Sequence, residues 1–165
     1  MAWCRRHPEG LLLHLHEREV GLLQFLAREL RRLLEHADTD RPEMTGFCPA
    51  LQRRADPDSV HSGLEQEMDQ EIMRYRLERL ESVEKELIPD ESVPDEGLTL
   101  TLSPERADIW LAWITDLRLL LAMVLGLTPD NPQRLDTLDP DDWLLEHRMY
   151  FFLSELQELM LMKMS

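Results

Sequence analysis

The sequence is poor in several residue types, and each shortage excludes a class of protein. Two cysteines in 165 residues are too few for the disulfide framework of a small secreted domain, so we expect the reducing cytoplasm. Lys85 and Lys163 are the only lysines, and the formal net charge is −15. Because nucleic-acid phosphates and anionic lipids attract cations, this balance argues against binding to duplex DNA or to an anionic membrane.

Long apolar runs and catalytic motifs are also missing. The longest uncharged run, Leu119–Pro129, is much shorter than a membrane span. The chain contains no glycine-rich phosphate loop, no Gly-x-Ser-x-Gly elbow and no dinucleotide-binding fingerprint. We therefore predict a protein that is not an enzyme, with no catalytic residues and no cofactor.

What is present favours helices, most clearly over residues 97–126. Leucine alternates with threonine over 98–102, as in a half-buried strand. Ser103 then stands at an N-cap position and is followed by Pro104. The helix after it is apolar around nearly its whole circumference, so it should have no solvent face and other helices must surround it.

The same order of strand, cap and helix occurs earlier, over residues 10–37. When the first 25 residues of each segment are aligned at an offset of 87, eight positions are identical, Gly10 and Gly97 among them. We infer two strand–helix units, 10–37 and 97–126, related by an approximate twofold axis. Their strands should pair into a small two-stranded ribbon whose leucine face lies on the helices, because a ribbon alone is marginal in water.

The rest of the chain completes one mainly α-helical domain, a bundle of about four long helices with the ribbon. Its remaining segments are loop 38–63, helix 64–88, acidic linker 89–96, acidic loop 128–139 and C-terminal helix 140–163. This last helix is also unusually apolar. The surplus of apolar residues predicts a homodimer or a protein partner, although a well-filled helical core with an exposed apolar end would explain them too.

The two units share an acid–Leu–Arg triplet, Glu29 to Arg31 and Asp116 to Arg118. Residues two apart on a helix point to different sides, so neither triplet can close its own ion pair. Under the twofold, Glu29 would meet Arg118 and Asp116 would meet Arg31, as structural ion pairs. An active-site acid–arginine cluster is the alternative interpretation, but buried charges are usually paired for solvation.

Two further groups of residues have the chemistry of a site. His14 and His16 share one face of the first strand, but a third ligand is not evident nearby, so no metal site is predicted. Cys4 and Cys48 are the candidate redox pair. Cys4 precedes basic residues that favour a thiolate, Cys48 lies in loop 38–63, and a reversible disulfide is stereochemically open. The alternative is one buried small hydrophobe and one idle thiol.

A family resemblance follows from particular motifs. Asp-Leu-Arg-Leu at 116–119, Leu-Gly-Leu-Thr at 125–128, and Asp139-Pro140 with Trp143 resemble the actinomycete-type oxidation-sensing regulator family, long catalogued as a domain of unknown function. The resemblance covers nearly the whole chain. It implies a cytoplasmic, mostly helical protein that acts in transcriptional responses to oxidants and is triggered by cysteine oxidation, without assigning that role to Cys4 and Cys48.

The leading hypothesis is a redox-responsive regulator that changes its contact with the transcription machinery, such as a sigma factor or polymerase, when Cys4 and Cys48 are oxidised. Its acidity favours a protein partner over a DNA duplex. The alternative is a constitutive interaction or assembly protein whose cysteines are incidental.

Overall fold

A computed structural model of the chain describes residues 1–35, 63–88, 97–125, 141 and 144–165. In chain order its elements are β1 (Trp3–His7), β2 (Gly10–Leu15), α1 (Glu17–Glu35), α2 (Gly63–Glu84), β3 (Leu98–Leu102), α3 (Pro104–Val124) and α4 (Leu145–Met164). The predicted class, mainly helical with a small β element, is confirmed. Loop 38–63 up to residue 62, linker 89–96 and loop 128–139 lie outside the described residues.

The sheet has three antiparallel strands in the order β1-β2-β3, so the prediction of a two-stranded ribbon is wrong. The added strand, Trp-Cys-Arg-Arg-His, lacks the leucine alternation of the other two. It pairs with the free edge of β2, where Cys4 lies opposite Leu13. Backbone pairing with an edge that would otherwise be open, rather than the local sequence pattern, accounts for this strand.

The pairing of β2 with β3 has the register that the twofold requires. Leu13 lies opposite Leu100, and these two leucines are also 87 positions apart in the sequence alignment (100 − 13 = 87). The axis therefore passes through this pair. The prediction that the leucine strands of the two units pair with each other is confirmed.

The glycines that open both strands obey the same symmetry. Gly10 has a φ of 139° and Gly97 a φ of 76°, backbone conformations that L side chains rarely adopt. A Cβ on Gly10 would lie 2.1 Å from the carbonyl oxygen of Leu102, and one on Gly97 would lie 2.1 Å from that of Leu15. Each glycine thus allows one strand to approach the far end of the other.

The twofold extends into helices α1 and α3. Helix α1 buries six positions, and all six of their equivalents in α3 are buried as well: Val20, Leu23, Leu26, Ala27, Leu30 and Leu34 correspond to Ala107, Trp110, Trp113, Ile114, Leu117 and Leu121. The predicted N-cap of α3 is confirmed, because the Ser103 hydroxyl accepts a hydrogen bond from the Arg106 N–H at 3.2 Å.

The other two helices are arranged unequally around this pair. Helix α2 packs against both α1 and α3, whereas α4 packs along α3 and under β1 and β2. The expectation that α3 has no solvent face is wrong, since Asp108, Thr115 and Leu119 remain exposed. These neighbours leave a strip of α3 uncovered.

The C-terminal helix begins later than predicted. Leu144 has an extended backbone, with φ −66° and ψ 165°, and α4 starts at Leu145 rather than at 140. The Leu144 N–H donates to His147 Nδ1 at 3.1 Å, which satisfies one backbone group at this helix start. None of the helices found in the described residues has the length and apolar character needed to cross a membrane.

Candidate functional site

Cys4 lies in the core beneath the sheet. Its side chain is 6% exposed and belongs to the same apolar cluster as Leu11, Leu13 and Leu15. Alternation along β1 turns Cys4 to the inner face of the sheet, opposite Leu13. Cys48 lies outside the described residues, so the predicted pairing of the two thiols stays a prediction.

The surroundings of Cys4 favour the thiol over the thiolate. Burial raises the pKa of the Cys4 thiol, and the nearby positive charge of Lys163 opposes this effect more weakly. Arg5 instead stacks over the ring of Trp3, with its guanidinium carbon 5.1 Å from the ring centroid. The expectation that the basic residues after Cys4 favour its reactive form is therefore wrong for the folded state.

Strand β1 is fastened to the rest of the molecule at two places. Arg6 Nε donates to the carbonyl oxygen of Lys163 at 3.2 Å, and Arg6 Nη2 donates to the carbonyl oxygen of Ser165 at the end of α4. The Ala2 N–H donates to Glu19 Oε1 at 2.8 Å, in the first turn of α1. Cys4 therefore lies on a strand that is held to the helices near both of its ends.

Asp116 is the one charged side chain that is buried among the described residues, at 4% exposure. It is held by α2: its Oδ2 lies 2.8 Å from Arg79 Nη1, and its Oδ1 lies 3.5 Å from Arg76 Nε. Burial raises the pKa of Asp116, and the charges of Arg79 and Arg76 oppose that rise. The predicted pair between Asp116 and Arg31 is wrong.

The other three predicted ion-pair residues also have different partners. Glu29 pairs with Arg32 on its own helix at 3.2 Å, instead of with Arg118. Arg31 contacts Glu35 at 3.0 Å and Glu81 at 3.6 Å, and it also pairs with Glu84. Hydrogen bonding to Glu84 is the main reason that the pKa of Arg31 is raised.

Arg118 has uncharged partners on α4. Its guanidinium donates to Gln157 Oε1 and, at 3.2 Å, to the Tyr150 hydroxyl, and it lies 5.2 Å from the Tyr150 ring centroid. Arg118 Nε is buried and has no hydrogen-bond partner in the part of the chain that the structure describes. The twofold-related side chains thus do not meet each other, because α2 supplies partners to Asp116 and Arg31, α4 supplies them to Arg118, and Glu29 pairs within α1.

A groove of about 570 Å³ lies beside Asp116, between α2 and α3, with Ile72 and Tyr75 on its exposed rim. If the acid–arginine cluster were an active site, this groove next to the buried carboxylate would be its location. Both Asp116 oxygens, however, already face arginines, an arrangement that locks α2 onto α3. Arg76 and Arg79 were not singled out from the sequence, although their spacing of three residues places both on one face of a helix.

The two histidines have structural partners. His14 Nδ1 is 2.8 Å from the Thr99 hydroxyl, and its ring stacks on Trp3 with centroids 5.2 Å apart. His16 Nδ1 accepts the Arg18 N–H at 3.4 Å at the start of α1. Across the part of the chain that the structure describes, no three or more His, Cys, Asp or Glu side chains are grouped so that they could hold a metal ion.

Comparison with known proteins matches the chain to a family and to several named relatives. The model of a family described as Domain of unknown function (DUF2017) matches residues 1–164. The chain is also 37% identical over 73 residues to proteins named Oxidative stress regulator AosR. These come from Mycobacterium bovis (strain ATCC BAA-935 / AF2122/97) and from Mycobacterium tuberculosis (strains CDC 1551 / Oshkosh and ATCC 25618 / H37Rv). That segment is 44% of this chain and 32% of each relative, so the match spans about a third of their length. No solved structure matches. The resemblance predicted from the sequence is confirmed.

Proposed function

Because the chain belongs to the family described as Domain of unknown function (DUF2017), and its relatives are named oxidative stress regulators, we propose that it is a non-enzymatic regulator of the response to oxidants. The similarity to the AosR proteins carries this proposal. Cytoplasmic location and contact with the transcription machinery are part of it.

The trigger is oxidation of Cys4 together with Cys48. Cys4 is buried and protonated in the folded state, so it reacts with peroxide only while β1 is detached from β2 and α4. Peroxide converts one thiol to a sulfenic acid and releases water. The second thiol loses its proton and attacks that sulfur, which forms the disulfide and expels hydroxide; the hydroxide takes up the released proton and leaves as a second water. A Cys4 sulfur bonded to Cys48 no longer fills its place against Leu13.

The output is a change in exposed apolar surface. While β1 is displaced, the edge of β2 and the part of α4 that packs beneath β1 lose the strand that covers them. An apolar groove of about 490 Å³ between α1, α3 and α4, with Phe25 and Val124 exposed at its border, offers a second contact. With a formal net charge of −15, a protein partner fits this surface better than a DNA duplex does.

The second candidate is a constitutive interaction protein, and one observation favours it. Cys4 is packed as a small apolar side chain with a raised pKa, which is how an inert structural cysteine is packed. On this view the oxidised and reduced chains would bind their partner equally.

The test treats the full chain with peroxide and follows thiol number and disulfide formation, using Cys4→Ala and Cys48→Ser as matched single variants. We expect the wild type to lose both thiols together and to migrate as an intramolecular disulfide on a non-reducing gel. Each single variant should form no such species. Two free thiols in the treated wild type would contradict the trigger.

The regulatory role is tested separately, in cells that carry the gene. Deletion should change the transcripts induced by peroxide, and complementation with the wild type should restore them. RNA polymerase holoenzyme purified from the same cells should be retained differently by the reduced and oxidised chains. Equal retention would favour the constitutive alternative, and an unchanged transcript profile on deletion would contradict both the redox and the regulatory proposals.

A further inference from the structure

Among the strands that the structure describes, β1 and β3 lie at the edges of the sheet, and only β1 carries charge. In β1 the edge sequence is Trp-Cys-Arg-Arg-His, with Arg5 and Arg6 at its centre. In β3 it is Leu-Thr-Leu-Thr-Leu, with no charge, no proline and no glycine. Charged residues on an edge strand hinder the addition of another strand, and an uncharged edge allows it.

The internal twofold shows that the outer edge of β3 corresponds to a position that is occupied on β2. Leu13 has Leu100 on one side and Cys4 on the other, and it is fully buried. Its twofold equivalent, Leu100, has Leu13 on one side and, among the described strands, none on the other. Leu100 is only partly buried, and Thr99 and Thr101 are exposed.

The sequence of β3 is also its own complement in an antiparallel pair. Leu-Thr-Leu-Thr-Leu reads the same in both directions, so two copies that pair around Leu100 set leucine opposite leucine and threonine opposite threonine. Cross-strand pairs of threonines and of apolar residues stabilise antiparallel sheets. The other edge, paired in the same way around Arg5, would place Arg5 against Arg5.

We propose that a second copy of this chain adds to the outer edge of β3. Two β3 strands pair antiparallel about a twofold axis at Leu100, and the sheets of the two copies join into one sheet of six strands. An isologous contact of this kind is the commonest way in which two identical chains associate. The proposal stands apart from the redox trigger, because Cys4 lies on the opposite edge of the sheet.

The charge of the chain sets how this dimer responds to salt. Two chains of formal net charge −15 repel each other, whereas the strand that joins them is uncharged. Added salt screens the repulsion and should therefore strengthen the dimer. A pair of five-residue strands is smaller than a standard stable interface of about 1,600 Å², so the dimer should depend on protein concentration.

The first experiment locates the axis by cross-linking. In a Cys4→Ala, Cys48→Ala background, Leu100→Cys places two thiols opposite each other on the axis, so mild oxidation should link the chains rapidly. Thr101→Cys is the matched control on the same strand, because residue 101 faces residue 99 of the other copy. Thr101→Cys alone should link several-fold more slowly, and a mixture of Thr99→Cys and Thr101→Cys chains should link faster than either alone.

The second experiment adds charge to the edge. Thr101→Lys should lower the fraction of dimer measured by sedimentation equilibrium over a range of concentrations, in high salt as well as in low salt. Gly21→Lys is the control, because position 21 is exposed with open space around it and gains the same charge. A chain that stays monomeric throughout would overturn the proposal. So would equal cross-linking of Leu100→Cys and Thr101→Cys, or a dimer that Thr101→Lys leaves unchanged.

Discussion

The two strand–helix units begin alike and end in different surroundings. Strands β2 and β3 share a register centred on Leu13 and Leu100, and each opens with a glycine that faces a carbonyl of the other strand. Beyond the strands, α1 has α2 and α3 as helix neighbours, whereas α3 has α4 as well. Symmetry therefore holds where the units touch each other and fails where a third element covers only one of them.

Equivalent side chains of the two units differ accordingly in burial and size. Glu29 is only partly buried and pairs with Arg32, while its equivalent Asp116 is buried between α2 and α3. Two buried leucines of α1 correspond to Trp110 and Trp113, whose rings meet edge to face at 5.5 Å. A helix with one more neighbour has more volume to fill and more polar groups to satisfy.

The largest expected effect comes from breaking the shared feature. Gly10→Ala and Gly97→Ala each place a Cβ 2.1 Å from a carbonyl oxygen at a positive φ, so each should cost more than about 3 kcal/mol in the free energy of unfolding. Urea unfolding of both variants measures the loss. A large effect at one glycine and none at the other would contradict the twofold symmetry of the contact between β2 and β3.

The next prediction contrasts the two leucines on the axis. Leu13→Ala empties a fully buried position between two strands and should cost about 3 kcal/mol, while Leu100→Ala, at the partly buried edge, should cost about 1 kcal/mol. Measurement at low protein concentration keeps association out of the result. Equal losses would show that the edge position is as enclosed as the centre of the sheet.

Substitutions of the two equivalent acidic residues, Asp116 and Glu29, should also differ in their cost to stability. Asp116→Ala leaves two arginines without their carboxylate and should cost about 2 kcal/mol, while Glu29→Ala removes an exposed pair and should cost no more than about 0.5 kcal/mol. Asp116→Asn should cost less than Asp116→Ala, because its amide oxygen still accepts a hydrogen bond from Arg79.

The pH dependence of the Asp116 variants has a definite sign. Burial raises the pKa of Asp116, so the folded state keeps a proton on this carboxyl at a pH where the unfolded state has lost it. The free energy of unfolding of the wild type should therefore rise relative to that of Asp116→Asn as pH falls from neutral through the raised pKa. If the difference in the free energy of unfolding between the wild type and Asp116→Asn shrinks on acidification, the two arginines lower the pKa of Asp116 by more than burial raises it.

The smallest effect has the opposite sign. Gly21 lies within α1, and, apart from the backbone of its own helix, no atom of the described residues is within 4 Å of where its Cβ would be. Gly21→Ala should raise the free energy of unfolding by about 0.5–1 kcal/mol, because alanine loses less backbone freedom in a helix. Thermal unfolding measures the gain. A loss would show that α1 has a neighbour at this position.

The sequence was most informative about contacts between the two repeated strand–helix units. The offset between Gly10 and Gly97 led to the β2–β3 pairing, and Ser103 marked the start of α3. It was least informative about charge partners: the acid–Leu–Arg triplets suggested pairs across the twofold, and α2 supplied Arg76 and Arg79 instead. Spacing along one helix says which residues share a face and leaves open which helix that face meets.

By itself, the sequence determined the helical class, the leucine faces of β2 and β3, and the pairing of these two strands with each other, because alternation and internal repetition can be recognised in the chain alone. Only the tertiary structure decided that this pair is antiparallel, that β1 joins the sheet, that Cys4 is buried with a raised pKa, and that Asp116 is held by α2. Burial and ion pairing depend on which distant segments come together. They are decided by the packing of the whole chain, since solvation and Coulomb energies act through space.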